Sequence, residues 1–217
     1  MTLRGLALTS TGATYGVDFP SGASANIENT VVNGFSWGIR MFRNGDTSKP
    51  ALQVINATVR NNQIGLAAAN FGAGSPAGGP PNNICYATIV GSFFFENSTD
   101  GLIAEDNSRV AVSDSVFASN GFGVIAGASA DFSYSEVNLD RCTISQNYEG
   151  VVAGDVDPSA IVHGRVRLAN CLITGNTFGL LNTLDGASLS RISNTEYTNT
   201  LEANGTDGSF TGTYSAK

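Results

Sequence analysis

The sequence predicts an all-β fold, a parallel β-helix solenoid of about six to seven coils with three short strands in each. Three observations predict it. A motif recurs along the chain, apolar residues within each copy alternate at the strand period, and the composition is rich in glycine and poor in charge. The motif is seen by laying residues 27–32, which lead to Gly38-Ile39, over 54–59 leading to Gly65-Leu66 and 112–117 leading to Gly123-Val124. Residues 139–144 leading to Gly150-Val151 and 168–173 leading to Gly179-Leu180 follow the same form. A further copy ends at Gly101-Leu102 if one residue is inserted, and Gly16-Val17 closes a degraded one.

Each column of the motif has a physical reason. Counting back from the glycine, the ninth position is Asn29, Asn56, Asp114, Arg141 and Asn170, where the chain bends and a short polar side chain tolerates left-handed backbone angles. The eighth is Thr30, Ala57, Ser115, Cys142 and Cys171, small enough to let the backbone turn. The sixth is always apolar: Val32, Val59, Phe117, Ile144 and Ile173. The third is Asn62, Asn120, Asn147 and Asn176 in four copies and Phe35 in the other, a column whose amides can ladder from coil to coil.

Alternating apolar positions such as Val110 and Val112, Val137 and Leu139, or Val166 and Leu168 predict a first strand. The pattern breaks at the bend and resumes as a second short strand. A third begins at the glycine pair and continues through Ile103-Ala104, Ile125-Ala126 or Val152-Ala153. The glycine intervals of 22, 27, 36, 22, 27 and 29 residues are irregular while the motif is not, as expected if strands stack in register and the turns between them lengthen freely. The longest interval contains the Gly/Pro-rich stretch 72–83, read as a loop bulging from one domain that spans 1–217. The Thr/Asn/Gly-rich tail 194–217 is expected to cover the stack.

Composition limits the function. A charged fraction of 13%, a net charge of −7 and two lysines, Lys49 and Lys217, argue against the basic surface that a nucleic-acid partner requires. No apolar run is long enough for a helical membrane span. The opening Met-Thr-Leu-Arg-Gly-Leu lacks the pattern of a signal peptide and starts inside patterned sequence. Cys85, Cys142 and Cys171 form no CxxC pair, and His163 is the one histidine, so structural zinc and cofactors are not expected. Cys142 and Cys171 fall on adjacent coils and are read as free buried thiols.

The repeated motif, V-x-[VIL]-x-[DN]-[SAC]-x-[IVF]-x-x-N-x-x-G-[IVL], resembles the repeat of right-handed parallel β-helix proteins of the pectin-lyase-like fold. From about residue 3 to residue 208 the chain is similar to uncharacterised exported bacterial β-helix proteins. The resemblance implies a right-handed coil and a secreted or cell-surface location. It implies little about chemistry, since the repeat encodes stacking. Polygalacturonase-like hydrolysis would need motifs that are absent: this chain has Ser98-Thr99-Asp100, Val162-His163-Gly164, no Asp-Asp and no Arg-x-Lys. Pectate-lyase-like elimination would need a basic residue beside an acidic cluster on adjacent coils, and none is expected.

The residue before each glycine is Tyr15, Trp37, Ile64, Asp100, Phe122, Glu149 and Phe178. Tyr15, Trp37, Phe122 and Phe178 form a candidate platform for sugar rings. Asp100 and Glu149, two coils or about 9.6 Å apart, form a candidate catalytic pair in the range of inverting carboxylates. The competing reading makes this column a turn filler, with Phe122 between the acids. Asp106, Asp155 and Asp157 sit in equivalent turns and could hold calcium, or simply be solvated. His163, beside Arg165 and Arg167, reads as structural before it reads as a base. Two residues past the glycine, Ala67, Ile103, Ile125, Val152 and Leu181 make an outward apolar stripe, to be covered by the tail or by a second copy.

Three functions follow, in order. The first is a non-catalytic extracellular β-helix that binds polysaccharide or builds a surface structure. The second is a polysaccharide lyase or glycoside hydrolase acting through Asp100 and Glu149. The third is a structural fragment of a larger β-helix protein.

Overall fold

The computed structural model describes residues 1–20, 24–44, 50–71, 84–127, 134–154, 163–183, 188–192 and 198–214. It is all-β, with no helix among the described residues. Three parallel sheets of nine, eight and seven strands wind around one core as a β-solenoid. Strands follow the order first, second, third sheet, coil after coil. One coil shows the plan: Ser108–Ser113 lies in the first sheet, Val116–Ala118 in the second and Phe122–Ala126 in the third. The predicted register holds at each step, with Val112 opposite Ile89 and Leu139, and Phe117 opposite Phe94 and Ile144.

Inward residues stack like on like. Val54, Ile89, Val112, Leu139 and Leu168 line the first sheet, and Phe94 and Phe117 stack in the second with ring centroids 5.0 Å apart. Each such side chain contributes about 1.5–3 kcal/mol on burial. The 36-residue glycine interval does not disturb the stack, since Tyr86–Val90 pairs directly with Ala51–Ile55. The stretch 72–83 itself lies outside the described residues. In the tail, Thr200–Glu202 extends the second sheet, Gly212–Tyr214 extends the first, and Phe210 packs against the core.

Two left-handed residues bracket the short middle strand of each coil. The first is the expected bend column: Asn29, Asn56, Asp114, Arg141 and Asn170 have φ between 48 and 54°. The second precedes the asparagine ladder and is filled by Asn61, Glu96, Ser119 and Gln146, with φ from 52 to 58°. Non-glycine residues there cost about 1 kcal/mol each. The ladder that follows offsets them.

Asn62, Asn97, Asn120, Asn147, Asn176 and Asn204 form that ladder. Each Nδ2 donates to the next Oδ1 at 2.9–3.1 Å. Each backbone N–H donates to the same oxygen at 2.9–3.1 Å. The second amide hydrogen goes to a carbonyl of the preceding coil, as from Asn120 to Phe94 at 3.1 Å. The glycine column stands against this ladder, because a Cβ on Gly123 would meet the Gly150 carbonyl oxygen at 2.5 Å and Asn147 Nδ2 at 2.9 Å. The inserted residue before Gly101 is absorbed locally, where the N–H groups of Thr99 and Asp100 both donate to the Gln63 carbonyl.

Cys142 and Cys171 are free and buried, as expected, and so is Cys85. The column of Cys142 and Cys171 continues a ladder of small side chains, in which Ser115 Oγ accepts from the Ser92 N–H and Ser92 Oγ from the Ala57 N–H.

Asn120→Ala is expected to cost about 3 kcal/mol or more, because it strands the buried Asn97 N–H and amide and the Phe94 carbonyl. Gly123→Ala should cost a comparable amount through steric contact. Urea unfolding midpoints test both, and losses below about 1 kcal/mol in each would show that the ladder does not hold the coils in register.

Candidate functional site

The predicted column on the third sheet exists, with Tyr15, Trp37, Ile64, Asp100, Phe122, Glu149 and Phe178 in continuous register. It does not form one platform. Tyr15 has Arg40 over its ring at 3.9 Å and accepts a hydrogen bond from that guanidinium, which also grips Asp18 through two bonds of 2.9 Å. Trp37 meets Phe42 edge-on at 5.1 Å. Phe122 and Phe178 flank Glu149 at the other end, and Tyr148 packs edge-on to Phe178 at 5.6 Å. Ile64 and Asp100 separate the two groups.

Asp100 is 6% exposed and sits between Ile64 and Phe122. Burial pushes its carboxyl up to about 6. Glu149 is shifted the same way by burial. The register keeps Phe122 between them. Asp106 is buried in a turn with φ of 30°, and its carbonyl accepts from the Asn70 N–H. Asp155, Asp157 and the His163 side chain lie outside the described residues. Among the described residues no three His, Cys, Asp or Glu side chains converge as a metal site would need. In the outward apolar stripe, Ile125 and Val152 are 7% and 4% exposed, so its centre is already buried within the chain.

A concavity lies elsewhere among the described residues, on the outer face of the first sheet. It is an open groove of about 430 Å³ lined by Thr88, Ala111, Asn138, Asp140, Asn170 and Tyr214. Strand alternation puts these residues outward because their neighbours Ile89, Val112 and Leu139 point into the core. Thr88, Ala111 and Asn138 are direct partners on successive coils. Tyr214 comes from the tail, whose strand pairs through Gly212 with Ser190 and through Ser190 with Arg167. Asp140 accepts from Asn170 Nδ2 at 2.9 Å and pairs with Arg141, which also holds Asp114 by two bonds of 2.7 and 3.0 Å.

Beside the groove is a cluster that the sequence reading missed. Arg109, Glu136 and Arg165 stack in register on three successive coils, and Asn138 and Arg167 occupy the adjoining column. Glu136 accepts from the Tyr134 hydroxyl, from Asn138 Nδ2 at 2.9 Å and from an Arg167 Nη. Burial opposes its ionisation, but the bonds from Tyr134 and Asn138 and the charges of Arg167 and Arg109 outweigh it and hold the carboxyl below the usual range. Burial and the bond to Glu136 push Tyr134 up to about 12. Arg109 and Arg165 lie over the Tyr134 ring at 5.6 and 5.7 Å, and Arg167 over Tyr214 at 5.6 Å. Arginine does meet single acids of the neighbouring coil, Arg167 on Glu136 and Arg141 on Asp114. The signal was present in the alternation: the residues between Val137 and Leu139, and between Val166 and Leu168, belong to the same face as Glu136 and Arg165.

These features define a class, a parallel β-solenoid with an outward groove and a charged cluster at its edge. Compared with protein-family models, curated proteins and solved structures, the chain matches none. What is established is the parallel β-solenoid architecture.

The raised Asp100 carboxyl gives a pH test. The folded chain keeps a proton that the unfolded chain releases between about pH 4 and 6, so this group's contribution to stability falls as pH rises through that window. Asp100→Asn is expected to remove that slope and to stabilise the protein at pH 7 by about 1–3 kcal/mol. Denaturant midpoints at pH 4, 5, 6 and 7 would show it, and an unchanged pH slope in the variant would place the titration elsewhere.

Proposed function

We propose that this protein is a non-catalytic carbohydrate-binding β-solenoid that holds a polysaccharide along the groove on its first sheet. The observation that carries this reading is the groove's direction and lining. It crosses successive coils, so Thr88 to Asn170 spans three strand intervals, about 14 Å, which suits an extended polymer more than a compact metabolite. A hydroxyl, two amides and a carboxylate stand beside the methyl of Ala111 and the ring of Tyr214. Hydroxyl groups of a sugar can exchange hydrogen bonds with the former, and the apolar face of its ring can pack on the latter.

The state of the acids supports binding over turnover. Glu136 is saturated by three donors and held ionised, and Asp140 is engaged by Asn170 and Arg141. Glu136 is therefore not placed to pass a proton near neutrality. Asp100 has a carboxyl suited to donating one, yet it lies on the third sheet, away from the groove.

Tyr214→Ala is expected to weaken binding of a groove-filling oligosaccharide about tenfold, the scale of one lost aromatic contact, with Asp100→Asn unchanged. Binding is read by calorimetry on an oligosaccharide panel, alongside an assay for reducing or unsaturated ends. Release of such ends, abolished in Asp100→Asn, would replace this reading with the hydrolase or lyase one.

A further inference from the structure

Three guanidiniums and one carboxylate share the edge of the groove on a chain whose net charge is −7. Two other arginines are paired with acids on the preceding coil, Arg40 with Asp18 and Arg141 with Asp114, whereas Arg60 lies over the Phe95 ring. Here the one acid in the column has its hydrogen bonds from Tyr134, Asn138 and Arg167. Arg109 Nε is buried and has no hydrogen-bond partner. Leaving a buried charged donor unmet costs about 1–3 kcal/mol or more. The described residues supply the positive charge and its support, the Tyr134 ring, but no acceptor for Arg109 Nε.

We propose that Arg109 and Arg165, converging on Tyr134, form an oxyanion subsite at the groove edge, so that the polymer bound there is acidic. This rests on the carbohydrate reading above and names its ligand class: a glycan bearing carboxylates or sulfate esters. The planar guanidinium fork matches either group through paired N–H bonds. Arg167 joins the subsite to the groove, since it lies over Tyr214 and reaches Asn138 Oδ1 at 3.4 Å. A chain lying along Thr88, Asn138 and Tyr214 would then carry its charged substituents toward the neighbouring column. Tyr86, the register partner of Arg109 on the preceding coil, extends that column.

Calorimetric titration of the full chain with alginate, dextran sulfate and uncharged dextran, at low and moderate salt, tests this. At least one acidic polymer is expected to bind about tenfold or more tighter than dextran, with an affinity that falls as salt rises. Arg109→Gln and Arg165→Ala should each lower that acidic affinity about tenfold while leaving dextran binding unchanged. Preference for alginate assigns a carboxylate, preference for dextran sulfate a sulfate ester. Equal affinity for acidic and neutral polymers, or variants that bind the acidic polymer as the parent does, overturns the subsite and leaves the groove standing. Failure of all three polymers to bind overturns both.

Discussion

The buried amide ladder from Asn62 to Asn204 is the interaction on which the rest of the solenoid depends. An asparagine is the one side chain at this corner that can do two things at once: accept from the backbone and amide of the coil before it, and donate to the coil after it. Leucine would fill the space but strand the turning backbone, whose N–H groups have no sheet partner there. The ladder in turn demands glycine three or four residues on, since the next coil's Nδ2 stands within about 3 Å of the place a Cβ would occupy. Asparagine and glycine are therefore one device, and its ends are closed by the Phe35 N–H on Asn62 and by Asp207 accepting from Asn204.

Because each coil is locked at this corner, the turns elsewhere can vary in length. The insertion between Gly65 and Gly101 leaves the pairing of Tyr86–Val90 with Ala51–Ile55 intact. The same locking fixes the phase of every outward residue. A side chain on the first sheet's outer face meets the corresponding residues of the coils before and after it, at about 4.8 Å per step. A binding surface on such a scaffold is built by stacking, one coil contributing one row, and preorganisation comes from the ladder and not from the site itself.

This is also why the fold was legible and the cluster was not. The inward columns repeat a residue type, so Val110, Val137 and Val166 announce one another in the sequence. The outward column reads Tyr86, Arg109, Glu136 and Arg165, four unlike residues whose relation appears only after the register is imposed. That register was available from the valine column, and moving one residue back along it gives the stack directly. Tyr214 was not available in this way. It lies in a tail without the glycine motif, and only pairing of Gly212–Tyr214 with the preceding strand brings its ring against Arg167. Asp100 was read correctly as adjacent to Phe122, but its burial follows from the neighbours Ile64 and Phe122, whose side-chain packing the motif does not encode.

The scarcity of lysine acquires a cause on the same terms. Adjacent coils stand one strand spacing apart, and a guanidinium fork can bind both oxygens of an acid on the next coil, as Arg40 does with Asp18 and Arg141 with Asp114. An ammonium offers a point charge and no such fork. Arginine on this surface is thus first a staple between coils, and it works where an acid occupies the facing row. Arg109 departs from that use. Its facing acid, Glu136, has its hydrogen bonds from the Tyr134 hydroxyl, Asn138 and Arg167, and the Tyr134 ring holds the guanidinium in place instead. The guanidinium that staples coils at Arg40 and Arg141 is here supported without being satisfied, and that difference separates a binding position from a structural one.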